Sequence, residues 1–151
     1  MYKHILLTLD GSPLSEQALP HAEMLVTALG ARLTLLSCVE PYVITLPTAP
    51  THVPVYNIDT DLEALTEERE EYLDILREEL AERGVNVSIV TRQGRPADEI
   101  QRFTDQEGVD MIVMSTHGRS GISRFIYGSV AERVLHGAKI PVLLVRVQSP
   151  E

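Results

Sequence analysis

The chain has 151 residues, of which 44% are hydrophobic and 23% charged, a balance typical of a globular protein, and we interpret residues 1–151 as a single domain. Its formal net charge of -9 argues against a nucleic-acid partner, because binding to DNA or RNA depends on neutralising phosphates with Lys and Arg. With one cysteine, Cys38, no secretion signal and no apolar run near the roughly 18 residues of a membrane span, we expect a cytoplasmic protein without membrane insertion.

Five short apolar runs rich in Leu, Val and Ile predict the strands of a sheet. Four of them are continuous rather than alternating, which is typical of parallel strands that are covered on both faces. The third run alternates with Asn86 and Ser88, and we interpret it as an edge strand. In chain order the predicted strands are Ile5–Leu9, Leu33–Val39, Val85–Val90, Met111–Met114 and Val142–Val147.

Helical spacing in the intervening segments predicts four helices. The first is one continuous helix from Leu14 to Leu29, and the second runs from Leu62 to Leu80 with its glutamates on the outward face. The third begins near Pro96, and the fourth follows Ser129. Strands and helices that alternate in this way predict an α/β fold, a doubly wound five-stranded parallel sheet of Rossmann-like type with helices on both faces.

The one long irregular segment, Glu40 to Asn57, contains four prolines and no helical period. Segments of this length in compact domains are either functional covers and partner contacts or mobile insertions. Both interpretations remain open for this segment.

Ligands of open α/β sheets bind beyond the carboxyl ends of the strands, where the strand order reverses. The relevant turns here are Asp10-Gly11-Ser12 after the first strand and the glycine-rich turn that follows Ser115 after the fourth. Neither G-x-G-x-x-G nor G-x-x-x-x-G-K-[ST] occurs, which argues against the usual dinucleotide and P-loop sites.

The start of the fourth helix is a candidate anion site. Ser129 and Glu132 have the S-x-x-E spacing of a capping box, which predicts that Ser129 caps this helix. A helix N-terminus offers unpaired N–H groups and a partial positive charge to a phosphate, and Gly128 allows the backbone to approach a ligand closely. Read alone, the motif is either a phosphate site or only a helix cap.

The glycine-rich turn and this helix start together resemble the ATP-binding members of the universal stress protein family. That family pattern consists of G-x-x-G, nine further residues and then G-[S/T]. The chain matches it with Gly118, the nine residues 119–127, Gly128 and Ser129, and it has Ser115 in place of the first glycine. The segments 5–12 and 94–100 also resemble the family's first strand with its Asp-x-Ser loop and its third helix start.

The resemblance implies a stress-response regulatory or sensor protein that binds ATP or AMP, with Mg²⁺ or Mn²⁺ carried by the phosphates. It implies that Thr8, Leu9 and Asp10 border the adenosine, Val39 offers its backbone to adenine, Met114 and Ser115 flank the ribose, and Gly118, Gly128, Ser129 and Val130 hold the phosphates. To these we add Arg119 as a phosphate clamp, with a solvated surface arginine as the alternative. The resemblance also implies a homodimer through the last strand, Ile140 to Val147, and an apolar strand at a sheet edge favours the same pairing.

Two other functions stay open. One is a slow ATP hydrolase or nucleotidyl transferase in the same pocket, although no positioned general base is evident. The other is a nucleotide-free dimeric interaction module, which Ser115 favours because a Cβ there crowds the pocket. His117 near Ser115 does not predict a hydrolase triad, since G-x-S-x-G is absent, and the scattered histidines predict no protein-bound metal.

Overall fold

The computed structural model describes residues 1–41, 59–116 and 128–147, and these residues form one five-stranded sheet with helices on both faces. Every strand pair in the sheet is parallel, in the order β3-β2-β1-β4-β5, which confirms the predicted doubly wound α/β fold. The elements in chain order are β1 (His4–Thr8), α1 (Pro13–Glu16), α2 (Leu19–Leu29), β2 (Arg32–Val39), α3 (Asp59–Glu82), β3 (Val87–Gln93), α4 (Pro96–Glu107), β4 (Met111–Ser115), α5 (Ser129–Gly137) and β5 (Val142–Val145).

The sheet order explains why a ligand site is expected above β1 and β4. The chain moves outward from β1 to β2 and β3, then crosses back to β4 and β5 on the other side of β1. The strand order therefore reverses between β1 and β4, the position where open α/β sheets leave a crevice. The third strand lies at one edge, as its alternating sequence predicted.

Continuous apolar strands supply both faces of the sheet with core residues. Ile5 and Leu7 of β1 pack in a cluster with buried residues of α2 and α3, whereas Leu6 belongs to the opposite cluster, with Phe103 of α4 and residues of α5. Successive side chains of a strand point to opposite faces, so an apolar run without alternation is required where both faces are covered.

The predicted first helix is wrong in one respect, because the structure divides it into α1 and α2. The amide groups of Gln17 and Ala18 donate to the carbonyls three residues earlier, at distances of 3.3 and 3.2 Å, which closes α1 with a tight turn. Pro20 has no N–H to donate to the carbonyl of Glu16, so a continuous helical ladder is interrupted there.

Strand boundaries also differ from the prediction. Val85 lies before β3, buried at the end of α3, where its N–H donates to the Leu80 carbonyl at 3.0 Å. The strand continues instead to Gln93, because it pairs with β2 as far as Val39.

The predicted solvent exposure of the α3 glutamates is confirmed; the exposed residues are Glu67, Glu68, Glu70, Glu71, Glu78 and Glu79. Within the described ranges, no helix has both the length and the apolar character to cross a membrane.

Candidate functional site

A cavity of about 610 Å³ opens where the carboxyl ends of β1, β2 and β4 meet the start of α5. Its size is within the range of cavities that bind small organic ligands. Apolar side chains from β2, α4 and β4 form much of its wall, and polar groups enter from the loop after β1 and from α3. The described lining residues are Thr8, Leu9, Asp10, Ser15, Leu36, Cys38, Val39, Glu40, Pro41, Leu65, Arg69, Pro96, Ile100, Met114, Ser115, Gly128, Ser129, Val130 and Ala131.

The predicted site residues converge on this cavity. Nine of them lie in the described ranges, and all nine line it: Thr8, Leu9, Asp10, Val39, Met114, Ser115, Gly128, Ser129 and Val130. The other two, Gly118 and Arg119, lie outside the described residues, as do His117 and the segment 42–58. The structure brings the nine together, and their roles toward a ligand remain predictions.

The loop after β1 holds the Asp10 carboxylate in a defined orientation. The Ser12 N–H donates to Asp10 Oδ1 at 2.8 Å, the Ser12 hydroxyl donates to the same oxygen, and the Asp10 N–H donates to Ser15 Oγ at 3.3 Å. An ionised carboxylate is an acceptor with two oxygens, which suits sugar hydroxyls.

The end of β2 forms the neighbouring wall. Val39 is buried, and its carbonyl oxygen accepts the Gly94 N–H at 3.0 Å. A carbonyl oxygen has two lone pairs, so this bond leaves a second acceptor position. One strand residue earlier, burial and, second, the Glu99 charge raise the pKa of the Cys38 thiol to about 12, against the opposing charges of Arg69 and Arg92. We predicted Cys38 as a small buried residue, and the structure shows it half-buried at the cavity wall.

The first turn of α5 shows that the predicted capping box is wrong. The Glu132 N–H donates to the Gly128 carbonyl at 3.0 Å, so Gly128 caps the helix and Ser129 is its first residue, without a side-chain cap bond. Gly128 has φ 73°, a conformation that favours glycine, and this moves the cap one residue toward the N-terminus. The first N–H groups of a helix have no acceptor within it, and Ser129, Val130 and Ala131 place that first turn against the cavity.

Ser115, which replaces a glycine of the family pattern, is accommodated at the end of β4. It pairs with Val145 of β5, is only 8% exposed and lines the cavity. The serine is thus built into the cavity wall as a strand residue.

Arg69 is one of the ten lining residues that were not predicted as site residues. Its position continues the three- and four-residue spacing of Leu62, Leu65 and Leu73 in the sequence, and a charged residue within that apolar period was the signal that could have found it. The structure shows Arg69 at the cavity, where Nη1 donates to Ser37 Oγ at 2.9 Å. No other described lining residue is a cation.

The described residues contain no group of three or more His, Cys, Asp or Glu side chains that could hold a metal ion. The groups that the described cavity offers to a ligand are therefore hydrogen-bonding groups, an apolar wall, a helix N-terminus and a few charges.

Residues 1–146 match the sequence model of the universal stress protein family. The chain belongs to this family. It is 34% identical to the universal stress protein MJ0531 of Methanocaldococcus jannaschii over 153 residues, which is 100% of this chain and 86% of that protein.

Solved universal stress proteins share the fold. The structure of MJ0577, from the same organism, matches with a TM-score of 0.78 and 27% identity, and the match covers 99% of each chain. A universal stress protein family protein from Arabidopsis thaliana, solved with AMP bound, matches with a TM-score of 0.64 over 97% of this chain and 93% of that one. At 16% identity, the second likeness shows the shared fold.

Proposed function

We propose that this universal stress protein binds an adenine nucleotide, ATP or AMP, in the cavity and acts as a regulatory or sensor protein in the stress response. The observation that carries the proposal is the convergence of four separate segments. Residues 8–10, 39, 114–115 and 128–130 were expected at a nucleotide from their positions in the family pattern, and all of them line one cavity.

The chemistry of the cavity is matched to the parts of a nucleotide. The start of α5 suits the phosphates, since its free N–H groups and partial positive charge attract anions. Asp10 offers an acceptor for ribose hydroxyls, and Val39 offers backbone groups beside an apolar wall for the base. Mg²⁺ or Mn²⁺ would enter with the phosphates, held mainly by them and by water. The AMP-bound Arabidopsis structure supports the proposal at the level of the fold.

The direct test is calorimetric titration of ATP and AMP into the purified protein, after unfolding and refolding to release any bound nucleotide. Gly128→Ala introduces a Cβ at φ 73° where the phosphates would bind, and we expect it to weaken both nucleotides about tenfold or more. Gly108→Ala is the matched control, because Gly108 ends α4 at φ 63° with open space around it and does not line the cavity.

The proposal fails if the wild type binds neither ATP nor AMP and releases no nucleotide on unfolding. It also fails if Gly108→Ala weakens binding as much as Gly128→Ala does. For a sensor we expect the bound ATP to be recovered intact, whereas turnover that is lost in Gly128→Ala and Asp10→Ala would identify the chain as a hydrolase.

We further propose a homodimer through the last strand, residues 140–147. β5 forms an edge of the described sheet, and Leu143 on it is 38% exposed, so the strand presents apolar surface and unpaired backbone groups. Light scattering during size-exclusion chromatography should give a dimer for the wild type and a monomer for Leu143→Lys. Met24→Lys, at a 62% exposed position on α2, should remain dimeric, and a monomeric wild type would contradict the proposal.

A further inference from the structure

The cavity has two ends that lie on opposite faces of the sheet. α3 packs against β2 and β3, in the core cluster that contains Leu73, whereas α5 belongs to the other cluster through Ala131 and Val134. Arg69 reaches the cavity from α3, and the helix start at Gly128 reaches it from the α5 side. Arg69 and the start of α5 therefore approach the cavity from opposite faces, and a nucleotide with its phosphates at α5 has Arg69 on the other side of the cavity from them.

The guanidinium of Arg69 is anchored by Ser37 and lies beside the position of Gly11. Nη1 donates to Ser37 Oγ at 2.9 Å, and the Ser37 hydroxyl donates to the Leu9 carbonyl at 2.6 Å. A Cβ built on Gly11 would lie 3.2 Å from Cζ, 3.3 Å from Nε and 3.5 Å from Nη1 of Arg69. Because Cζ is the nearest atom, the Cβ position of residue 11 lies over one face of the planar group, and the glycine there leaves room for the guanidinium.

The charge of Arg69 is not used in an ion pair with any carboxylate of the described residues, although Asp10 and Glu40 line the same cavity. Its described contacts account for one face and one N–H of the guanidinium. An arginine has five N–H donors and two faces, so an oriented, partly desolvated group with spare donors is suited to a ligand.

We propose that Arg69 is a specificity-determining residue that recognises the base of the bound nucleotide, through the face and the N–H donors that Ser37 and Gly11 leave uncovered. This inference rests on the proposed nucleotide function and deepens it. A guanidinium plane stacks on purine rings and donates to acceptors at their edges, and a lysine ammonium reproduces neither geometry.

The test compares adenosine, AMP and ATP, because adenosine has the base and ribose but no phosphate. We expect Arg69→Met to weaken all three by a similar factor, about tenfold, and Arg69→Lys to restore little of the loss. Gly128→Ala should weaken AMP and ATP and leave adenosine unchanged, and the two effects should be additive for AMP because the residues act at opposite ends.

Arg77→Met is the matched control, since Arg77 is on the same helix, pairs with Asp74 at 2.6 Å and does not line the cavity. Thermal unfolding of each variant checks that the fold is intact. Should Arg69→Met not fold, Ser37→Ala removes the anchor of the guanidinium and should weaken all three ligands alike.

The inference is overturned if Arg69→Met weakens only AMP and ATP, which would make Arg69 a phosphate contact, or if it leaves all three unchanged. Full restoration by Arg69→Lys would also overturn it, because charge alone would then suffice. Failure of the proposed function has a different result, since the wild type itself would then bind none of the three ligands.

Discussion

His4 is a buried titratable residue at the end of the sheet opposite the cavity. Two groups face His4 Nδ1, the Arg32 guanidinium with Nη2 at 2.9 Å and the Glu107 carbonyl oxygen at 3.2 Å, and Nε2 lies 2.8 Å from Thr34 Oγ1. Burial first and the Arg32 charge second lower the pKa of His4 below 6.5, against the smaller opposing effects of Glu107 and Asp110. The neutral ring is thus part of the folded structure.

This geometry makes the stability of the protein sensitive to mild acid. In the unfolded chain His4 returns to its ordinary pKa of 6.5, so between that value and its lower folded pKa only the unfolded state binds the proton. The free energy of unfolding should be at its full value above pH 6.5 and decrease as the pH is lowered through that window. Urea unfolding at pH 7.5 and pH 5.5 measures the loss.

His4→Gln should show a smaller loss of stability between these two pH values, whereas His21→Gln, at an exposed position, should behave like the wild type. An equal loss in all three proteins would contradict the assignment to His4. Hydrogen bonds from the Lys3 and His4 backbone lower the pKa of Asp110. Asp110 therefore affects the free energy of unfolding at more acidic pH and not between pH 5.5 and pH 7.5.

At the scale of elements, α1 and α5 begin in different ways. Ser12 caps α1 through its side chain, which accepts the Ser15 N–H at 3.2 Å. α5 begins at Gly128, and the exposed Ser129 makes no cap bond. A serine that follows a helix-starting glycine resembles a cap in sequence, and only the backbone conformation of Gly128 distinguishes the two cases.

The difference predicts opposite results for two serine substitutions. Ser12→Ala should lower the free energy of unfolding by about 1 kcal/mol, the usual cost of losing an N-cap. Ser129→Ala should change it by less than about 0.5 kcal/mol, as for an exposed site without a partner. Urea unfolding at pH 7.5 compares them, and a loss in Ser129→Ala equal to that in Ser12→Ala would show that Ser129 caps the helix in solution.

At the scale of the whole molecule, the carboxyl end of β2 places the only cysteine of the chain, Cys38, at the cavity wall. The chemical reactivity of Cys38 can therefore be used to detect a ligand in the cavity, and no further cysteine has to be introduced for this purpose. Because burial raises its pKa to about 12, the thiol is protonated at neutral pH, and the reactive thiolate is scarce.

Alkylation of Cys38 with iodoacetamide should be slow in the folded protein at pH 7.5, faster as the pH is raised toward 12, and fast in urea. Saturating AMP should slow it further, because the ligand covers the cavity wall, and should have less effect in Gly128→Ala at the same concentration. Equal rates with and without AMP, measured by intact-protein mass spectrometry, would contradict binding in this cavity.

Much of the fold could be predicted because its signals are local. Continuous apolar runs identified four strands, and the alternating third run identified the edge strand. Boundaries were less predictable where pairing decides them, as when β3 follows β2 to Gln93. The first helix is divided near Pro20, which has no N–H to donate. The spacing of apolar residues, on which the prediction of one continuous helix was based, does not show this.

The sequence alone determined the alternation of strands and helices, the family, and nine residues that meet at one cavity, because each of these is recorded in local periodicity or in a spaced motif. Only the tertiary structure decided that Gly128 caps α5 and that Arg69 lies beside Ser37 and Gly11. The first depends on a backbone dihedral angle and the second on packing between residues far apart in the chain, so the sequence marks Arg69 as a charge in an apolar period but does not reveal its neighbours.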